Sequence, residues 1–108
     1  MAAEAYSAVV TTCPDEPEAR RITEILLEQR LCAGVHMYST NSFYRWQGKL
    51  ENRTETVLVI KCRSRDYEAI EKQIRAQHSY QVPEIYRLPI AEGSAEYLNW
   101  IERSGEEQ

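Results

Sequence analysis

Two periods of apolar residues alternate along this chain, and the changes between them predict its elements. Ala5–Thr12 ("AYSAVVTT") and Thr54–Arg63 ("TETVLVIKCR") are apolar and rich in β-branched residues, which predicts two largely buried strands. Between them, "LCAGVHMYS" predicts another strand, and "NSFYRWQGKL" continues it with Tyr44 and Trp46 on one face. Gly48 and the following "ENR" predict the turn into Thr54–Arg63.

The strand Thr54–Arg63 is apolar on both faces, since Val57 and Val59 alternate with Leu58, Ile60 and Cys62. Helices in a small domain usually cover one face of a sheet. The second apolar face therefore predicts a further layer or another subunit.

Three helices follow from capping residues and a period near 3.6. Asp15 is the predicted N-cap of the first helix, with Glu18 completing a capping box and Pro17 in the first turn. The apolar stripe of this helix runs to Arg30, and that of the second, capped by Ser64, runs to His78; their members are Ala19, Ile22, Ile25, Leu26, Tyr67, Ile70 and Ile74. Ser94 caps a short third helix.

A last strand, "EIYRLPI", lies between the second and third helices, and Pro89 predicts that it is an edge strand. The order is therefore β-α-β-β-α-β plus a C-terminal helix. Two crossovers onto one antiparallel sheet predict an α+β ferredoxin-like sandwich. With 108 residues we expect one domain over residues 1–108, with an ordered core at 5–103 and a frayed tail at 104–108.

Charge and composition exclude several classes of partner. The chain has 17 acidic and 13 basic residues and a net charge of −4, so it has no overall attraction to nucleic acid or to an anionic membrane. No apolar run approaches the ~18 residues of a membrane span, and the first residues do not form a secretory signal. Three cysteines without CxxC spacing fit neither a disulfide framework nor a zinc module, so we expect a cytoplasmic protein with free thiols.

Catalytic and cofactor motifs are missing from the sequence. It contains no GxGxxG, GxxxxGK[ST], GxSxG or HExxH pattern, and only two histidines. We therefore predict a protein that is not an enzyme and that has no organic cofactor.

Five ordered segments, "TTCPDE", "RLCAGV", "YRWQGKLE", "VIKCRS" and "YQVPEI", resemble the CutA divalent-cation tolerance family over about Val9 to Ile101. The resemblance implies a ferredoxin-like homotrimer in which strands of adjacent subunits pair. It also implies binding of copper or other divalent cations and a part in the response to metal ions.

The metal ligands proposed for this family fall here on Thr11, Gln77 and His78, so only the last position keeps a ligand residue. Cys13 lies two residues beyond Thr11. We predict His78 and Cys13 as candidate metal ligands. The alternative for His78 is a histidine at a helix C-terminus, where the helix dipole favours it. The ligand interpretation of Cys13 requires a thiolate of lowered pKa, and its alternative is a small residue at a turn. We expect Cys32 and Cys62 to be packing residues and His36 to be an exposed strand residue.

The same resemblance places Trp46, Lys61, Tyr80 and Glu84 at a cleft between subunits, where Trp46 is either a subunit contact or a ligand platform. Lys61 is the only cation within an apolar strand, and Glu84 is its predicted partner. Two functions remain open: a trimeric metal-tolerance protein, or a trimeric signalling or scaffolding module that binds a small anion or a protein partner at these clefts.

Overall fold

The structure is a computed structural model that describes residues 4–106. Residues 1–3, and the last two residues of the predicted tail, lie outside this range. The elements in chain order are the strand β1 (Tyr6–Cys13), the helix α1 (Glu16–Glu28), the strands β2 (Gly34–Trp46) and β3 (Lys49–Arg63), a 3-10 turn (Ser64–Asp66), the helix α2 (Tyr67–Gln77), the strand β4 (Ile85–Pro89) and the helix α3 (Ala95–Glu102).

The four strands form one antiparallel sheet in the order β2-β3-β1-β4. β1 is central and pairs with β3 on one side, Tyr6 opposite Arg63 and Cys13 opposite Thr56, and with β4 on the other. The predicted α+β class is confirmed, and β4 is the edge strand that Pro89 indicated.

The hairpin between β2 and β3 is longer and tighter than predicted. Only Gln47 and Gly48 separate the strands, with φ of 52° and 81°, which is the backbone of a two-residue turn with positive φ at both positions. The "ENR" segment, predicted as turn, belongs to β3 instead, because Glu51 pairs with Tyr44 across the ladder. This hairpin extends well beyond the end of β1.

One face of the sheet and the two helices α1 and α2 enclose the core. Its fully buried members come from both layers: Val9, Cys13, Leu58, Ile60 and Cys62 from the strands, and Ala19, Ile22, Leu26, Ile70 and Ile74 from the helices. The predicted apolar stripes are confirmed at these positions. Asp15 caps α1 by accepting the Glu18 N–H at 3.0 Å, as predicted, and Ser94 caps α3 by accepting the Tyr97 N–H.

Ser64 does not cap α2, contrary to the prediction. A 3-10 turn precedes this helix, and the Ser64 hydroxyl instead donates to the Glu4 carbonyl and lies 2.6 Å from the Ser7 hydroxyl. The Ser64 hydroxyl therefore binds Ser7 of β1 instead of the helix N-terminus.

The opposite face of the sheet is only partly covered. α3 lies across one end of it, where a Cβ atom at Gly34 would meet the Trp100 ring at 2.9 Å, and Ile101 is fully buried there. Elsewhere Tyr38, Tyr86 and Leu88 are 53%, 43% and 51% exposed. Because β1 reaches only to Thr56, residues 49–55 of β3 pair with β2 alone within the described chain.

The first residues of the predicted tail form a turn that contacts the body of the protein. The Gly105 N–H donates to the Trp100 carbonyl, and Gly105 has a φ of 79°. A Cβ atom there would lie 2.6 Å from the Ala33 carbonyl oxygen, so this position requires glycine.

Candidate metal site and neighbouring pocket

Three elements bring a thiol, a carboxylate and an imidazole to one place. Cys13 ends β1, Glu18 lies in the first turn of α1, and His78 is the C-cap of α2. One donor atom from each lies within 4.8 Å of the other two. Cys13 and Glu18 are buried, and the His78 side chain is fully buried. We call these three residues the metal triad.

Both nitrogens of the His78 ring have partners, and these partners define its tautomer. Nε2 lies 2.7 Å from the Thr12 carbonyl oxygen, which can only accept, so Nε2 carries the proton. Nδ1 accepts the Tyr80 N–H at 3.1 Å and lies 3.4 Å from Glu18 Oε2. The Nδ1 atom therefore lies beside the Glu18 carboxylate, one member of the triad.

Glu18 does not complete the capping box that the sequence predicted. Its carboxylate turns inward and accepts the Ser79 N–H at 2.9 Å, 61 residues along the chain. The helix N-terminus thus supplies a carboxylate to the triad and to the segment that follows α2.

The Cys13 thiol is not the thiolate of lowered pKa that its position suggested. Burial raises its pKa to about 12, and the Glu18 carboxylate adds to this effect. A metal ion would therefore have to displace the proton of a neutral thiol, as metal binding to cysteine generally does.

Burial of the thiols makes the stability of the fold pH-dependent. It also raises the pKa of Cys32 to about 12 and that of Cys62 to about 11. An acid with a higher pKa in the folded than in the unfolded chain stabilises the fold fully below its unfolded pKa, which is about 8.5 for cysteine. This stabilisation is lost as the pH rises toward the folded values.

We therefore expect the free energy of unfolding to fall between about pH 8 and pH 11, measured by urea denaturation. Tyrosines contribute in the same direction, so Cys13→Ser is the matched variant and should show a shallower decline. An identical slope in the two proteins would contradict the role of this thiol.

Beside the triad, a pocket of about 620 Å³ opens between the hairpin and the segment that joins α2 to β4. We call the segment from Ser79 to Glu84 the connector and the cavity the aromatic pocket. Four aromatic rings, three carboxylates and one guanidinium form most of its walls. They belong to Phe43, Tyr44, Trp46, Tyr80, Glu51, Glu55, Glu84 and Arg53.

Tyr80 connects the triad to the aromatic pocket. Its hydroxyl donates to the buried Glu55 carboxylate at 2.6 Å, and burial together with this bond raises the pKa of the phenol. Its ring centroid lies 4.9 Å from that of His78, and the Arg53 guanidinium lies 5.4 Å above the ring. A hydrogen bond with Tyr44 also raises the pKa of Arg53.

The structure brings the predicted residues together only in part. Trp46, Tyr80 and Glu84 line the aromatic pocket, but Lys61 does not. Its Nζ atom lies 2.8 Å from His36 Nδ1, and burial lowers its pKa. Within the described residues of one chain, Glu84 makes no salt bridge with it. His36 itself is exposed, as predicted.

The two remaining positions where the family places ligands do not join the triad. Thr11 is fully buried, and its hydroxyl has no hydrogen-bond partner among the described residues. Gln77 ends α2 and is half-buried. Cys32 and Cys62 are packing residues, as predicted, and all three cysteines are free thiols.

Sequence reasoning missed Glu18 as a possible ligand and Glu55 as the partner of Tyr80. Glu18 was interpreted as part of a capping box, so it was not considered as a ligand. Glu55 alternates with other residues of a predicted strand, and that pattern gave no reason to single it out. The one available signal was a carboxylate two residues before the apolar run Val57–Ile60 of β3, where burial requires a donor.

Comparisons with known proteins agree over nearly the whole chain. A family model described as CutA1 divalent ion tolerance protein matches residues 7–104. The divalent-cation tolerance protein CutA of Archaeoglobus fulgidus is 37% identical over 101 residues, covering 94% of this chain and 99% of that one. CutA of Thermus thermophilus is 42% identical over 94 residues, covering 86% and 91%.

Solved structures give the same result. The A. fulgidus protein, described as periplasmic, superposes with a TM-score of 0.90 at 37% identity, over 94% of this chain and 99% of that chain. CutA1 of the psychrotrophic bacterium Shewanella sp. SIB1 superposes with a TM-score of 0.92 at 34% identity, over 98% and 100%.

Proposed function

This chain belongs to the CutA1 divalent ion tolerance family, and on that premise we propose that it binds zinc or copper ions at the metal triad and contributes to metal tolerance. One observation carries the proposal. The Nε2–H group of His78 donates to the Thr12 carbonyl, and its Nδ1 atom lies 3.4 Å from Glu18 Oε2. One ligand atom from each of Cys13, Glu18 and His78 lies within 4.8 Å of the other two. Histidines that bind metals usually donate their other N–H group in this way, which fixes the ring and its tautomer.

The residues present fit a small metal ion. Bonds to sulfur, nitrogen and oxygen of about 2.0–2.3 Å place the ligand atoms of a tetrahedral ion about 3.3–3.8 Å apart. The triad atoms lie within 4.8 Å of one another, so binding requires each of them to move inward by up to roughly 0.5–1 Å. One thiolate, one imidazole and one carboxylate suit Zn²⁺ or copper better than the hard cations Mg²⁺ and Ca²⁺.

The test is a competitive titration of the reduced protein with Zn²⁺ and with Cu(I) against chromophoric chelators. One ion bound per chain supports the proposal. Binding no tighter than that of a scattered surface histidine would remove direct metal binding from it.

We also infer a homotrimer with the ferredoxin-like sandwich as its subunit. The strand order and the two strand-helix-strand crossovers support this fold. The exposed aromatic and aliphatic side chains on the second face of the sheet, and the singly paired residues 49–55, support strand pairing between subunits, which would cover both features.

A second proposed function concerns the aromatic pocket, and its charges favour a cationic ligand over the small anion expected from sequence. Three carboxylates line it against one guanidinium, whose charge already faces the Tyr80 ring. Aromatic walls with nearby carboxylates suit an organic ammonium or guanidinium group, from a metabolite or from a basic segment of a partner protein.

We therefore expect small organic amines to raise the melting temperature and inorganic phosphate to have no effect. The carboxylate of Glu84 is exposed, so Glu84→Gln should weaken the effect of amines while leaving the fold intact. Stabilisation by phosphate, undiminished in that variant, would contradict the assignment.

A cytoplasmic location remains a proposal, supported by the three free thiols, which suit a reducing compartment. Cell fractionation tests it directly, and recovery from the periplasm would overturn it. Among the described residues, none of the helices has the length and apolar character needed to cross a membrane.

A further inference from the structure

Three side-chain hydrogen bonds hold Ser79 and Tyr80, and in two of them the acceptor is a residue of the metal triad. The Tyr80 N–H donates to His78 Nδ1 at 3.1 Å, and the Ser79 N–H donates to Glu18 Oε2 at 2.9 Å. The third bond joins the Tyr80 hydroxyl to the Glu55 carboxylate at 2.6 Å. The start of the connector is thus attached to the same atoms that an ion would require.

A metal ion and the Tyr80 N–H cannot share the His78 Nδ1 lone pair. Nε2 already carries the ring's proton on the Thr12 carbonyl, so Nδ1 is the nitrogen available to an ion. An ion bound about 2 Å from Nδ1 requires the Tyr80 backbone nitrogen to move away from it. Because the phenol ring is rigid, that movement also strains the hydrogen bond between the Tyr80 hydroxyl and Glu55.

We propose that Tyr80 is a positioning residue whose bond to Glu55 holds the connector closed over the metal triad, so that metal binding and the shape of the aromatic pocket are coupled. This inference rests on the proposed metal function and adds its regulation. The coupling is reciprocal, since any ligand that stabilises the closed position of Tyr80 in the pocket must weaken metal binding by the same factor.

The test compares Zn²⁺ affinity, by chelator competition, in the wild type and in Tyr80→Phe. Loss of the hydroxyl removes a hydrogen bond to a buried charged group from the closed state, so we expect Tyr80→Phe to bind Zn²⁺ about ten-fold more tightly or better. The phenol is not a member of the triad, so the variant keeps every proposed ligand. Tyr97→Phe, which changes a tyrosine stacked on Trp100, is the matched control and should bind like the wild type.

Amide hydrogen exchange gives a second readout. In the wild type, saturating Zn²⁺ should accelerate exchange of the Tyr80 amide, because that N–H loses its acceptor, while amides in the centre of β1 stay protected.

Equal or weaker Zn²⁺ affinity in Tyr80→Phe, with no change at the Tyr80 amide, overturns the coupling while leaving metal binding intact. Absence of a site in both the wild type and Tyr80→Phe is a different result, which overturns the proposed function and this inference with it.

Discussion

Cys13→Ser should lower the affinity for Zn²⁺ and Cu(I) by more than about 100-fold, because partners that merely hold a ligand in place already contribute 10- to 100-fold. Serine keeps the shape of the side chain, but its hydroxyl does not ionise to give a comparable ligand. His78→Ala should have an effect of similar size, since it removes the only imidazole of the triad. The measurement is the competitive titration described above.

The chain supplies a matched control for each variant. His36 is the only other histidine and is exposed on β2, so His36→Ala should leave the affinity unchanged. Cys62→Ser removes another buried thiol on β3 and should do the same. Glu18→Gln keeps an acceptor for the Ser79 N–H while removing the charge, so it separates a ligand role from a structural one. Equal affinities in Cys13→Ser, His78→Ala and the wild type would place any bound metal elsewhere.

The second large effect is expected on assembly. Trp46 is 44% exposed in one chain, on the face of the hairpin turned toward the uncovered side of the sheet. If subunits cover that side, Trp46→Ala should cost about 2–4 kcal/mol per interface, as truncation of a tryptophan at the centre of an interface commonly does. Dissociation should then begin at a concentration roughly 30- to 1000-fold higher than for the wild type.

Sedimentation over a dilution series measures this shift. Phe43 provides the control, because it is 69% exposed on the other face of the same hairpin, and Phe43→Ala should dissociate like the wild type. A Trp46→Ala protein that remains as firmly assembled as the wild type would contradict the proposed interface. Equal weakening by both variants would move the interface to the tip of the hairpin.

Local signals in the sequence were sufficient for most of the fold. Asp15 and Ser94 cap the helices they were expected to cap, because an N-cap depends on residues three positions apart. The helical stripes at Ile22, Leu26, Ile70 and Ile74 face the core, because a period of 3.6 places them on one side. Ser64 and the "ENR" segment were misassigned where a tertiary pairing replaced the local preference.

The candidate site divides in the same way. From the sequence we could predict Cys13 and His78 as candidates and Trp46, Tyr80 and Glu84 as neighbours, because each stands in a recognisable motif. The sequence could not predict that the Glu18 carboxylate turns away from its helix end and accepts the Ser79 N–H, 61 residues later. Nor could it predict that Lys61 lies against His36, or that burial raises the pKa of Cys13.

The sequence by itself therefore determined the elements, their order and the family, because capping, periodicity and motif spacing act over a few residues at a time. Only the tertiary structure decided which ligand atoms converge and that the pKa of the Cys13 thiol is raised. Those properties depend on burial and on hydrogen bonds between distant segments, such as the bond from His78 to Thr12 across 66 residues. Glu18, which the sequence predicts as part of a helix cap, becomes a candidate metal ligand only because α2 ends beside it.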